Sequence, residues 1–231
     1  MTKQQQFEDF INDPKHSIFP VVDFEKATDR LCALDFTSSN TTLSNEILGS
    51  TETFSKWVNE QLLAGGCRYG IGGYDEHRTI YSRSTHFDTE EEPRRLHLGV
   101  DIWGPVGTPV YNFMDGEVHS FKNNDNFGDY GATIILKYKM ADLDVYALYG
   151  HLSLASIAGL SVGMPIAGGA AFATFGAPAE NGNWPPHLHF QLIFDMCGKL
   201  GDYPGVCQFS KKSLWLNNGA DPNKVLAYTF S

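Results

Sequence analysis

The sequence has no run of apolar residues long enough to cross a bilayer as a helix, which excludes membrane insertion of that kind. Cationic residues are scarce: 17 Lys and Arg stand against 27 Asp and Glu, a formal net charge of −10. That balance repels nucleic acid and anionic lipid alike, so neither is expected as a partner. Charged residues of both signs make up only 19% of the chain, and with 23 glycines this suits a turn-rich β protein better than a helical bundle. Cys32, Cys67, Cys197 and Cys207 contain no C-x-x-C pair, so a thiolate metal site is not expected. The opening segment MTKQQQFEDFINDPKH has no apolar stretch of the secretory type. The expectation is therefore a cytoplasmic product with reduced cysteines, and non-classical export as its route outward.

What is present is apolar and aromatic. Of 231 residues, 42% are hydrophobic and 13% aromatic, enough for one core with a small appendage. The first third differs from the rest. Phe7, Phe10 and Ile11 have helical spacing and stop at Asn12-Asp13-Pro14. Residues 23–34 read as a weaker helical stretch. In TETFSKWVNEQLL, Phe54, Trp57, Val58 and Leu62 recur on one helical face, and Gly65-Gly66 supplies the stop. Beyond the acidic run Glu90-Glu91-Glu92, read as a solvated loop, the pattern changes to short strands separated by Gly-Pro and Asp-Gly turns. The organisation expected is a helical N-terminal segment, 1–70, acting as a regulatory or packing arm, followed by a β domain, 71–231. The fold expected is mainly β: a compact antiparallel sheet or sandwich with an open groove.

Two strand-like segments carry the chemistry. In PPHLHFQL, His187 and His189 share one face of an extended chain while Leu188, Phe190 and Leu192 share the other. In LHLGVDIW the same alternation puts His97, Gly99 and Asp101 on one face, with the glycine leaving room. A catalytic zinc usually keeps three protein ligands and an open position, and His97, Asp101 and His189 supply two nitrogens and an oxygen. His187, and His151 in LYGHLS, then remain as acid/base helpers, one taking a water's proton and the other stabilising an oxyanion. His16, His77, His86 and His119 read as ordinary surface or core histidines. Trp184, Tyr149 and Tyr111 read first as core aromatics, with lining a substrate groove as the lesser reading, and Asn181 and Asn183 read as turn residues.

The order H-x-x-x-D, then Y-G-H-L-S, then H-L-H-F resembles the LytM/lysostaphin-type zinc metallopeptidases, which cleave peptide crosslinks of bacterial cell walls. GTPVYNFMDGEVHS and the glycine-rich GMPIAGGAAFATFG resemble further parts of that family, and the likeness spans residues 95–194. It implies one zinc ion on His97, Asp101 and His189, catalytic roles for His151 and His187, a compact antiparallel β fold with a groove, and a peptide or peptidoglycan-like substrate. The segment NGNWPPHLHFQLIFD, with GDYPGV after it, is more similar to peptidase modules attached to class-III aminotransferase-like and kinase-like proteins. That likeness, and the expected cytoplasmic location, keep two alternatives in view: a zinc amidase or peptidase acting on a small peptide-like metabolite, and a non-catalytic binding module. In latent members of the resembling family an N-terminal arm fills the open zinc position, a role Asn40 or Asn45 could serve here; simple packing or dimerisation is the other reading of that arm.

Overall fold

The computed structural model describes residues 1–88 and 91–226, so Glu90 of the acidic run lies outside the described residues. Three helices belong to the first third: α1 (Lys3–Asn12), α2 (Asn45–Leu48) and α3 (Thr51–Gly65). Each starts on a side-chain cap that accepts an otherwise unpaired backbone N–H, from Thr2, Ser44 and Ser50 respectively. Helix α3 ends where Gly66 turns left-handed at φ 61°, and its buried face is Phe54, Trp57, Val58 and Leu62.

Among the described residues there are thirteen strands, numbered in chain order. They are β1 (Leu31–Leu34), β2 (Tyr69–Gly72), β3 (Leu96–His97), β4 (Val100–Trp103) and β5 (Pro109–Tyr111). Next come β6 (Gly116–Asn124), β7 (Gly131–Met140), β8 (Leu143–Leu152), β9 (Pro165–Ile166) and β10 (Ala171–Thr174). The last are β11 (His187–Ile193), β12 (Val206–Cys207) and β13 (Gly219–Ala220). The main sheet has nine strands, ordered β1-β2-β4-β11-β8-β7-β6-β9, with β13 also paired to β11. It is antiparallel throughout except for β1 and β2, which run parallel.

Three expectations need correction. Residues 23–34 are not helical; their last four form edge strand β1, held beside β2 and covered by α3. The segment LHLGVDIW is not one strand, because the chain leaves the β3–β12 pair at His97 and re-enters the main sheet at Val100. Gly99 makes that change possible: a Cβ there would lie 2.6 Å from His189 Cε1. Finally, Cys32 and Cys67 form a disulfide, tying β1 to the residue just beyond α3. Cys197 and Cys207 are free.

Two cores result. One lies on the face of Val100, Ile102, Leu188, Phe190 and Leu192, joined by Tyr138, Tyr149 and Phe113. The other joins Phe36 of the first third, with Phe54 and Trp57 of α3, to Trp103 and Trp184. The N-terminal segment thus packs beside the site, against Trp103 on the same face of β4 as Asp101.

Candidate metal centre

Register brings the polar residues together. On β11, His189 pairs with Asp101 and His187 with Trp103 of β4; on its other side His189 faces Gly150 of β8. His97 Nε2, Asp101 Oδ1 and His189 Nδ1 then meet. The separations are 2.9 Å between the two nitrogens, 3.2 Å from His97 to Asp101 and 3.0 Å from His189 to Asp101. All three residues are buried.

Hydrogen bonding fixes which atoms carry protons. His97 Nδ1 lies 2.8 Å from Gly73 O, which can only accept, so Nδ1 holds the proton and Nε2 is bare. Gln191 Nε2 donates to Pro204 O at 3.2 Å, which turns its Oε1 toward His189 Nε2 at 3.1 Å. His189 must therefore donate from Nε2, leaving Nδ1 bare. Two lone-pair nitrogens and a carboxylate oxygen face one another with no proton between them in the neutral rings. That arrangement is repulsive unless a cation sits among them, and bonds of about 2.0–2.1 Å in a tetrahedral site would place ligand atoms roughly 3.3–3.4 Å apart. The cluster fits one divalent metal ion.

Asp101 is held ionised. Burial alone would raise its pKa, but His97 and the Arg78 guanidinium beside it hold it well below the usual carboxylate range. Burial pushes His97 down to about 3, helped by Arg78, so its ring is neutral and available as a ligand.

His151 and His187 stand next to this group with ring centroids 4.0 Å apart. His151 Nδ1 donates to Asn181 O at 2.8 Å and His187 Nδ1 to Pro185 O at 2.7 Å. Both leave Nε2 bare. Burial drives the pKa of His187 down to about 4, and that of His151 well below the ordinary imidazole value, with the neighbouring His187 adding to it. His187 is also stacked on Trp103 at 3.9 Å, so the aromatic cluster on the same face of the sheet fixes its plane. His151 has φ 60°, a left-handed conformation rare for a residue with a side chain. A register irregularity between Ala132 and Ile134 opens the β7–β8 ladder there, and bonds from His151 N to Tyr130 O and from Gly176 N to His151 O hold the turned backbone. Strain of this kind is characteristically kept at working sites.

Asp101, His151, His187 and His189 line a cavity of about 160 Å³. Ile80, Tyr81, Phe87, Trp103 and Trp184 form an apolar wall, and the segment from Asp202 to Val206 faces it. Gly205 in that segment could not carry a side chain, since a Cβ would lie 1.9 Å from Tyr130 Oη. Residues 1–70 contribute nothing to the lining, and Asn40 instead caps its own loop through Asp35 O and Thr42.

Four further residues belong to the site, and of these the sequence raised only Trp184, as the lesser alternative to a core role. His86 and Trp184 line the cavity. Asn181, expected as a turn residue, is fully buried and bonds Gly176 O, Trp184 O and Trp184 N through its side chain. Arg78 is fully buried and bonds Asp101 Oδ2.

The converging donors define a candidate metal centre. Residues 95–197 match the model of Peptidase family M23. The chain is 32% identical over 125 residues to the DD-carboxypeptidase/endopeptidase Mpg of Neisseria meningitidis serogroup B, a match covering 52% of this chain and 26% of that protein. The Neisseria gonorrhoeae protein of the same name matches equally, so the chain spans about a quarter of the length of these relatives. Among solved structures, the catalytic domain of lysostaphin from Staphylococcus simulans is 22% identical with a TM-score of 0.43, covering 75% of this chain and 98% of that one. The prophage-encoded M23 protein EnpA from Enterococcus faecalis is 20% identical with a TM-score of 0.37, covering 55% and 77%.

Proposed function

We propose that this protein is a zinc metallopeptidase that hydrolyses peptide bonds in peptidoglycan stem peptides or crosslinks. The observation that carries the reading is the convergence of three unprotonated ligand atoms beside two further imidazoles with bare Nε2 atoms. Zinc held by His97, Asp101 and His189 would supply Lewis acidity toward a water molecule and the scissile carbonyl. His151 and His187, neutral at physiological pH, are the bases. One accepts the proton of the attacking water and returns it to the leaving amine; the other takes up a proton from solvent, donates it to the oxyanion as a hydrogen bond, and gives it back to solvent when the tetrahedral species collapses. The substrate class draws its support from the Mpg likeness over the M23 span.

The near-complete burial of these five side chains favours a second reading, a peptidase or amidase acting on small soluble peptides. Digesting insoluble wall and soluble muropeptides in parallel, each with a chelator control, tests both. Chelator-sensitive release from wall supports the first reading, cleavage of soluble fragments alone supports the second, and no hydrolysis of either sinks both. The Cys32–Cys67 bond favours an oxidising compartment over the cytoplasmic one expected from the start of the chain. We assign residues 1–70 a packing role, supported by the aromatic core they share with Trp103.

A further inference from the structure

Arg78 lies in an irregular stretch 23 residues before Asp101 and is fully buried, which is costly for a guanidinium unless every side of it is used. Its bonds form one connected set. Nη1 donates to Asp101 Oδ2 at 2.5 Å and to Tyr81 Oη at 3.2 Å. Nε donates to Glu76 Oε2 at 2.6 Å, and Nη2 to Gly73 O at 3.1 Å. The Phe36 ring lies 5.2 Å from the guanidinium carbon, and a Cβ on Gly72 would come within 2.6 Å of Nη2.

Two of these contacts reach the donor cluster from behind. Asp101 uses Oδ1 toward His97 and His189, while its second oxygen is taken by Arg78. Gly73 O accepts from both Arg78 and His97 Nδ1, so one carbonyl sets the position of both side chains. Glu76 alone would neutralise the arginine, so the bond to Asp101 is not needed to balance its charge. We propose that Arg78 is a positioning residue for the metal centre: it commits Asp101 to offering a single oxygen and, through the Gly73 carbonyl, fixes the ring of His97. The proposal rests on the metal reading of His97, Asp101 and His189. Without the guanidinium, Asp101 Oδ2 would lose its partner and the carboxylate would be free to rotate, which competes with metal binding.

The test is zinc affinity, measured by competition with a chromophoric chelator, alongside thermal melts of the metal-free proteins. Arg78→Met should bind zinc about 10- to 100-fold more weakly than wild type, the range usual for loss of a partner behind a metal ligand. Arg78→Lys keeps the charge but not the fork, and should recover most of that loss. The Co(II)-loaded Arg78→Met protein should also show altered visible bands, which a purely structural role would leave unchanged. If Arg78→Met does not fold, the double variant Glu76→Gln/Arg78→Met removes the unpaired buried charge and carries the same measurement. Asp101→Ala serves as the reference. Wild-type zinc affinity in Asp101→Ala would sink the metal reading itself. A large loss there, with affinity and Co(II) bands unchanged in the Arg78 variants, would overturn only the positioning role.

Discussion

The three residues offered to the metal and the two histidines beside them are built alike and aimed differently. All five side chains are buried, and each of the four imidazoles hands one proton to a fixed acceptor: Gly73 O, Gln191 Oε1, Asn181 O or Pro185 O. In the first group the bare atoms crowd within 2.9–3.2 Å of one another. In the second, the rings lie against each other at 4.0 Å, and His187 is backed by Trp103. Crowded lone pairs call for a cation, whereas His151 and His187 keep bare Nε2 atoms outside that crowding, which is the basis of the proton-handling role proposed for them. Position rather than residue type separates ligand from base.

Removing a ligand should break that distinction most severely. Asp101→Ala or His189→Ala should lose the metal itself on dialysis, as read by elemental analysis, and hydrolysis with it. Next in size, His151→Ala should keep near-stoichiometric zinc while kcat falls by about 10²- to 10⁴-fold, the usual worth of a positioned acid or base. Equal zinc loss in all three variants would erase the difference between the groups.

This division was legible in the sequence to the extent that it rests on strand periodicity. Alternation in PPHLHFQL separates His187 and His189 from Leu188 and Phe190, and the structure keeps that separation. What escaped depends on contacts distant in sequence. Arg78 lies in a stretch with no period, and only folding brings it behind Asp101. The left-handed turn at His151 arises from an irregularity in the pairing of two strands, which neither strand announces alone. Strand β1 was misread because Leu31 and Leu34 are spaced as on a helix, while its parallel pairing with β2 depends on α3 folding between them. The Cys32–Cys67 bond follows from that same pairing rather than from any spacing rule.

That bond allows the comparison to be tested from outside the site. Cys32 and Cys67 are 35 residues apart, and a loop of about that length implies roughly 3–4 kcal/mol of stabilisation through the unfolded state. Cys32→Ser should lower the urea midpoint accordingly while zinc content stays at wild type. If zinc is lost as well, the N-terminal segment holds the ligands and not merely the core beside them.

Asn181 offers the finest cut, because it acts on the proton-handling pair alone. Its carbonyl takes the proton of His151 Nδ1, and its side chain ties that carbonyl into the turn through Gly176 O, Trp184 O and Trp184 N. Asn181→Ala leaves these groups unpaired in a buried place, a cost of about 1–3 kcal/mol by denaturant melt. It keeps the backbone carbonyl, so His151 should retain its tautomer but lose some of its fixed aim. The expected result is unchanged zinc, with a fall in kcat smaller than that of His151→Ala. An undiminished kcat per folded molecule would mean that the strained backbone at His151, with Tyr130 O and Gly176 N on either side, aims the ring without help from the loop.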